Sequence, residues 1–147
     1  MVQLSDDLTW SIVRKQNSGL RFSNKRNGPS LSREAGCLTH IPSRAMSGLA
    51  NSKTVGLTHD GRKAVLTLKT KSAGSVPRKY NQSIELRTHG RGTKACGKTI
   101  IKLVDEMYYK PAVTQTALAK LALMAKAERR AAKKVTYTPK SGRSNKN

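Results

Sequence analysis

The chain has 147 residues, with 29 Lys and Arg against eight Asp and Glu and a formal net charge of +21 at pH 7, a length that suits one domain with tails. An apolar share of 36% and an aromatic share of 4% allow only a small core, and self-repulsion on this scale penalises the compact state unless an anion neutralises it. No run approaches the ~20 apolar residues of a membrane span, and the cations are strewn from Arg14 to Arg130, a distribution that fits an extended phosphate backbone.

Met1 is followed by Ser5, Asp6 and Asp7 instead of a basic start and an apolar run, so no secretory signal is read. Cys37 and Cys96 lie far apart and are expected as free thiols of a reducing compartment, with one disulfide as the alternative. The stretch "SDDLTWSIVRK", residues 5–15, predicts a short helix. Ser5 or Asp6 caps it, acids sit at its positive end, and Arg14 and Lys15 sit at its negative end. Trp10 is expected to anchor the core, with stacking on a base as the alternative. In "GLRFS", Leu20 and Phe22 alternate, a weak strand signal.

Residues 23–53 are rich in Asn, Ser, Gly and Arg and read as a long loop ordered on binding, since an unstructured loop of that length is unusual in a compact domain. The run "TVGLTHDGRKAVLTLK", residues 54–69, predicts a hairpin. Asp60-Gly61 suits a two-residue turn, which sets His59 against Arg62, Leu57 against Ala64 and Val55 against Leu66. Residues 69–82 read as a basic loop, and "SIELRTH" as a short strand. From Thr99 the period turns helical, with Ile100, Leu103, Val104, Met107 and Tyr108 as its apolar stripe. Pro111 opens a second helix whose buried stripe is Leu118, Leu121, Ala122 and Ala125. The expected organisation is an α+β domain over residues 1–134 and a basic tail, 135–147, that is disordered alone.

Four chemical readings compete. "GRGTKACGKT" fulfils the phosphate-loop pattern, with Gly92, Gly97, Lys98 and Thr99 in the required places. Two helices and a tail come after it, without the further strands and the Mg²⁺-holding Asp that a nucleotide fold needs. The milder reading keeps Gly90 and Gly92 as close backbone approaches to an RNA phosphate, beside Lys94 and Lys98 near a helix start. Cys37-x-x-His40 lacks a second ligand pair, so no metal is expected. No acid–base or nucleophilic constellation suggests catalysis. Tyr80, Tyr109 and Tyr137 lie among cations and are candidates for stacking on bases.

"DLTWSIVRKQNSGL" and "SGLANSKTVGL" together resemble the eukaryote-specific large-subunit ribosomal protein family numbered twenty-eight. Asp7, Leu8, Trp10, Val13, Arg14, Ser18 and Leu20 carry the first block. Gly48, Leu49, Asn51, Lys53, Thr54, Val55 and Gly56 carry the second. "YYKPAVTQTALAKLALMAK" is similar to the family's step into its last helix, so the likeness runs over about residues 6–133. Gly19 and the Ala-rich last helix depart from the family's pattern.

The resemblance implies a structural protein of the cytosolic large ribosomal subunit that passes through the nucleolus during assembly. Its partners would be large-subunit rRNA and neighbouring ribosomal proteins, with no cofactor, no small-molecule substrate and no membrane. The fold expected is a small antiparallel sheet, the 54–69 hairpin plus a strand near 20–23, packed by helices and carrying long basic loops. The RNA contacts expected are Arg14, Lys15, Lys25, Arg26, Arg44, Lys53, Arg78, Lys79, Arg91, Lys94, Lys98, Arg129, Arg130, Lys133 and Lys134. The alternatives are an assembly factor sharing the fold, a chromatin-type DNA binder and, weakest, a phosphate-loop nucleotide binder.

Overall fold

The computed structural model describes residues 4–21, 26, 28–60, 63–88 and 92–133. Alternating apolar residues build its centre. Strands β3 (Val55–Asp60) and β4 (Lys63–Lys69) pair antiparallel, and β5 (Asn81–Arg87), which contains the predicted "SIELRTH" strand start, pairs with β4. The ladder runs out to Asp60↔Lys63, so Asp60 is the last residue of β3 and not part of a two-residue Asp60-Gly61 turn. Leu57 faces Leu66, Val55 faces Leu68, and His59 faces Ala64. The expected and observed registers differ by two residues, which leaves every side chain on its own face, so the apolar pattern cannot separate them. The register that forms sets Leu against Leu where the other sets Leu against Ala.

The strand near Leu20 is β1 (Leu20–Arg21), and it does not extend the hairpin. It pairs with β2 (Leu31–Ser32) in a separate two-stranded sheet. Phe22, the second half of that strand signal, lies outside the described residues. Helix α1 (Asp6–Val13) is capped as its sequence predicts, Leu8 N donating to Ser5 Oγ at 3.3 Å. It buries no residue, however, and Trp10 is only half-buried, so it does not anchor the core. Eight residues cannot stand alone as a helix in water, so α1 depends on the tertiary contacts of its first turn, at Asp6 and Asp7.

Helix α2 (Gly92–Ile101) begins well before Thr99. A Cβ at Gly92 would come within 2.2 Å of Arg87 O, so glycine lets β5 and α2 meet at this corner. Cys96, Ile100 and Val104, spaced by four, are buried against the sheet. A π turn, Lys102–Glu106, then ends the helix, and Tyr108 takes a φ of 48°. Met107 and Tyr108 therefore leave the expected stripe and are 67% and 81% exposed.

Pro111 opens a 3₁₀ turn, as its fixed φ favours, and α3 (Thr114–Ala132) follows. Its buried positions are Thr114, Ala117, Leu121 and Ala125. Leu118 is half-buried and Ala122 exposed, because spacings of three, four and four place Ala122 one step off the stripe. Leu57, Leu66, Ile100 and Val104 are almost wholly removed from solvent at the centre of this core. The free thiols of Cys37 and Cys96 are both buried, and that burial raises both above the ordinary thiol pKa.

From residue 28 to 53, the segment read as a loop without pattern carries β2 and a 3₁₀ turn, Arg44–Met46. A carboxylate organises it. Buried Glu34 accepts hydrogen bonds from Asn17 Nδ2, from Ser47 Oγ at 2.7 Å and from Gly48 N at 3.0 Å. Buried Asn51 donates to Arg44 O and Ser47 O at 2.6 and 2.8 Å. At Gly48, a Cβ would lie 1.7 Å from Ala35 O, so this packing admits only glycine.

Candidate nucleic-acid interface

The cations expected to meet RNA fall into separate groups. Lys94 and Lys98 project from α2 four residues apart, and Lys102 continues the row by another four. All three are exposed, and none of their ammonium groups has an ion pair or hydrogen bond among the described residues. At 1.5 Å rise per residue their Cα atoms step along the helix by about 6 Å. Cys96, Ile100 and Val104 press the other side of the same helix into the core, so the row is rigidly backed. Lys102 escaped the sequence reading, although i, i+4, i+8 spacing is the signal that finds it.

Arg129 and Arg130 lie in the last turn of α3, with Lys133 at its C-cap. Arg14 is the C-cap of α1 and Lys15 follows it. Arg78 and Lys79 lie in a 3₁₀ turn, Pro77–Lys79. Arg26 is exposed. Lys25, Arg91 and Lys134 lie outside the described residues, as do Gly90 and Tyr137. Arg44 is exposed yet engaged, its Nε donating to Asp7 Oδ1. That hydrogen bond holds the Asp7 carboxyl below and the Arg44 guanidinium above their ordinary values. Asp6 accepts from Ser52 N and Oγ at 3.3 Å. Two aspartates thus clip α1 onto the 44–52 segment.

The phosphate-loop reading fails on backbone shape. Such a loop needs free N–H groups curled around an anion ahead of the helix. Here Gly97, Lys98 and Thr99 sit in the body of α2, and Thr99 Oγ1 donates to Ala95 O at 3.1 Å. Lys94 alone of the two lysines stands in the first turn. Cys37 is buried while His40 is exposed, with Nδ1 3.3 Å from Ser32 O and Nε2 3.4 Å from Lys120 Nζ. Among the described residues no cluster of His, Cys, Asp or Glu could hold a metal ion.

Beside α1 the surface opens into a groove of about 820 Å³, walled by the 49–53 turn, the 69–74 loop, Tyr80, Met107 and Tyr109. Its framework is built by lysines that turn inward. Lys69 Nζ donates to Asn51 O at 2.8 Å and Gly48 O at 3.4 Å, and lies 5.1 Å from the Tyr80 ring centroid. Lys110 Nζ donates to Ala45 O and Lys53 O at 2.8 and 3.1 Å. Burial lowers the pKa of Lys110, because the charged form loses water there.

Tyr109 is no free stacking platform. Its hydroxyl donates to Lys69 O at 2.6 Å, lies 3.2 Å from Thr54 O, and accepts from Thr54 N at 3.2 Å. It thereby ties the entry of β3 to the exit of β4, and burial pushes its phenol above the ordinary value. Lys53 Nζ stands 5.8 Å from its ring centroid. Half-buried Tyr80 is the tyrosine left facing the groove.

No described helix is long and apolar enough to cross a membrane. Against known proteins, the model of the Ribosomal L28e protein family matches residues 8–127, a span that runs from α1 almost to the end of α3. The large ribosomal subunit protein eL28 of Dictyostelium discoideum is 30% identical over 118 residues, covering 80% of this chain and 84% of that protein. The family match includes Trp10 and the Gly48–Gly56 block. The chain belongs to the Ribosomal L28e protein family, a family of structural ribosomal proteins rather than enzymes.

Proposed function

We propose that this protein is a structural component of the large ribosomal subunit. It binds ribosomal RNA through phosphate contacts and clamps RNA segments that approach different faces of its fold. Its place of work is the cytoplasmic ribosome, reached through the nucleolus, with rRNA and neighbouring ribosomal proteins as partners. The observation that carries this reading is the row Lys94–Lys98–Lys102 on a helical segment fixed by the core, in no ion pair with any acid among the described residues. Fixed ammonium groups lose little freedom when they meet an equally fixed phosphate backbone, and each phosphate neutralised releases counterions. Arg129, Arg130 and Lys133 at the end of α3, and Arg78 with Lys79, supply further contacts on other elements.

Titrating the full chain with A-form rRNA fragments over a range of salt tests this. Affinity should fall steeply with salt, and replacing Lys94, Lys98 and Lys102 together by Ala should flatten the log–log slope by about 2–3. Preference for duplex DNA at matched salt would make the chain a DNA binder, and a flat salt dependence would remove the phosphate clamp. Tagged protein should sediment with mature large subunits in sucrose gradients; sedimentation with immature particles alone would make it an assembly factor.

A further inference from the structure

We propose that the groove beside α1 receives a single nucleotide extruded from an RNA helix, a claim that rests on the RNA-binding function proposed for the chain. Its base would lie against Tyr80 and Met107, and the flanking phosphates would meet Lys53 and Lys71. Several observations converge on this occupant. The volume of about 820 Å³ falls within the ~300–1,000 Å³ of clefts that take drug-sized ligands. Tyr80 offers an aromatic surface and Met107, 67% exposed, a polarisable thioether. Bases of any sequence stack on such surfaces.

The cations divide into two kinds. Lys69 is already satisfied by two carbonyls and the Tyr80 ring. Lys53 and Lys71, carried by two different segments of the wall, are exposed, and neither ammonium has an acid or carbonyl partner among the described residues. Among the described residues, the groove's single lining acid, Asp6, belongs to α1 and accepts hydrogen bonds from Ser52. A phosphate is repelled there, whereas an N–H edge of a base is welcome. The charge pattern therefore orients the nucleotide with its backbone at the lysines and its base toward α1. An apolar peptide would leave Lys53 and Lys71 without counter-charge.

The test compares two RNA duplexes, one fully paired and one carrying a single-nucleotide 2-aminopurine bulge, binding the full chain at matched salt. Wild type should prefer the bulged duplex on the order of tenfold, with a change in 2-aminopurine fluorescence on binding. Tyr80→Leu, which keeps apolar bulk, and Gly74→Trp, which fills the groove from an exposed position, should both erase the preference while affinity for the paired duplex stays unchanged. Equal binding of the two duplexes by wild type overturns the groove proposal and leaves the phosphate clamp standing. Failure to bind either duplex at physiological salt overturns the RNA reading itself. A preference that survives both variants places the base elsewhere and overturns the proposal. A photo-crosslinker at position 74 that joins a protein instead of RNA in assembled ribosomes gives the groove to a protein neighbour, and that result overturns the proposal too.

Discussion

The two halves of this molecule are held by opposite means. From Val55 to Ala125, aliphatic side chains close over one another: Leu57 and Leu66 from the hairpin, Ile100 and Val104 from α2 and the π turn, Leu121 from α3. From Asn17 to Thr54, the buried groups that decide the path are polar: Glu34, Ser47, Asn51 and Thr54, joined at the seam by Tyr109, Lys69 and Lys110. Aliphatic packing is non-directional and forgives small changes of shape. A buried polar cluster holds only while every donor has its acceptor. A highly cationic chain with few large apolar residues has enough of them for one core, and around a few more, Leu20, Leu38 and Ala50, it orders its second half with hydrogen bonds.

The largest effect should come from the apolar half. Leu66→Ala opens a cavity in the apolar core beside its strand partners Leu57 and Ile84, and should lower unfolding free energy by about 3–4 kcal/mol, read from the denaturant midpoint. If the comparison holds, hydrogen exchange in this variant rises in both halves, because the polar half leans on β3 and β4. Persistent protection around Gly48 after the core has opened would show that the halves are independent.

Next comes Glu34→Gln. The amide keeps the size of the carboxylate but offers one acceptor oxygen to three donors, Asn17 Nδ2, Ser47 Oγ and Gly48 N. Stranded buried donors put the loss at about 2–3 kcal/mol. Exchange should quicken from Ser47 to Asn51 while β4 and α2 keep their protection. Uniform acceleration instead would abolish the distinction between the halves.

How much of this was legible in the sequence follows the same division. The hairpin could be read because alternation reports burial directly, and α3 because Pro111 and the spacing of Leu118 and Leu121 mark its start and face. The register slipped by two because its period hides such a shift. The start of α2 was hidden: before Ile100, only Cys96 among its residues 92–99 is a buried apolar one, so Gly and Lys there read as a loop. Glu34 gives no local signal at all, since its three donors come from residues 17, 47 and 48. Of the residues proposed to meet RNA, Lys94 and Lys98 stand out to solvent. Lys69 and Lys110, chemically identical, turn inward onto carbonyls, and only the tertiary path of residues 44–53 separates the two kinds.

Tyr109→Phe probes the seam. The ring and its packing stay, but Lys69 O and Thr54 N lose the hydroxyl between them, a loss of about 1 kcal/mol. RNA affinity should hardly change if the seam is structural. A large drop in binding with unchanged stability would instead put Tyr109 itself on the RNA.

The smallest effect belongs to α1, which uses neither mode, burying no residue and held through Asp6 and Asp7. The hydrogen bond from Arg44 lowers the Asp7 pKa below its ordinary 3.8. A carboxyl depressed in the folded state stabilises fully above the unfolded value and loses that contribution as pH falls through the folded one. Both partners are exposed, so the contribution is small and screened by salt. Melting temperatures of wild type and Asp7→Asn should therefore differ slightly at neutral pH and low salt. The gap should begin to narrow below about pH 4, and it should close at high salt. A gap that widened in acid would reverse the sign of the linkage, and α1 would have to be held by something other than its pair with Arg44.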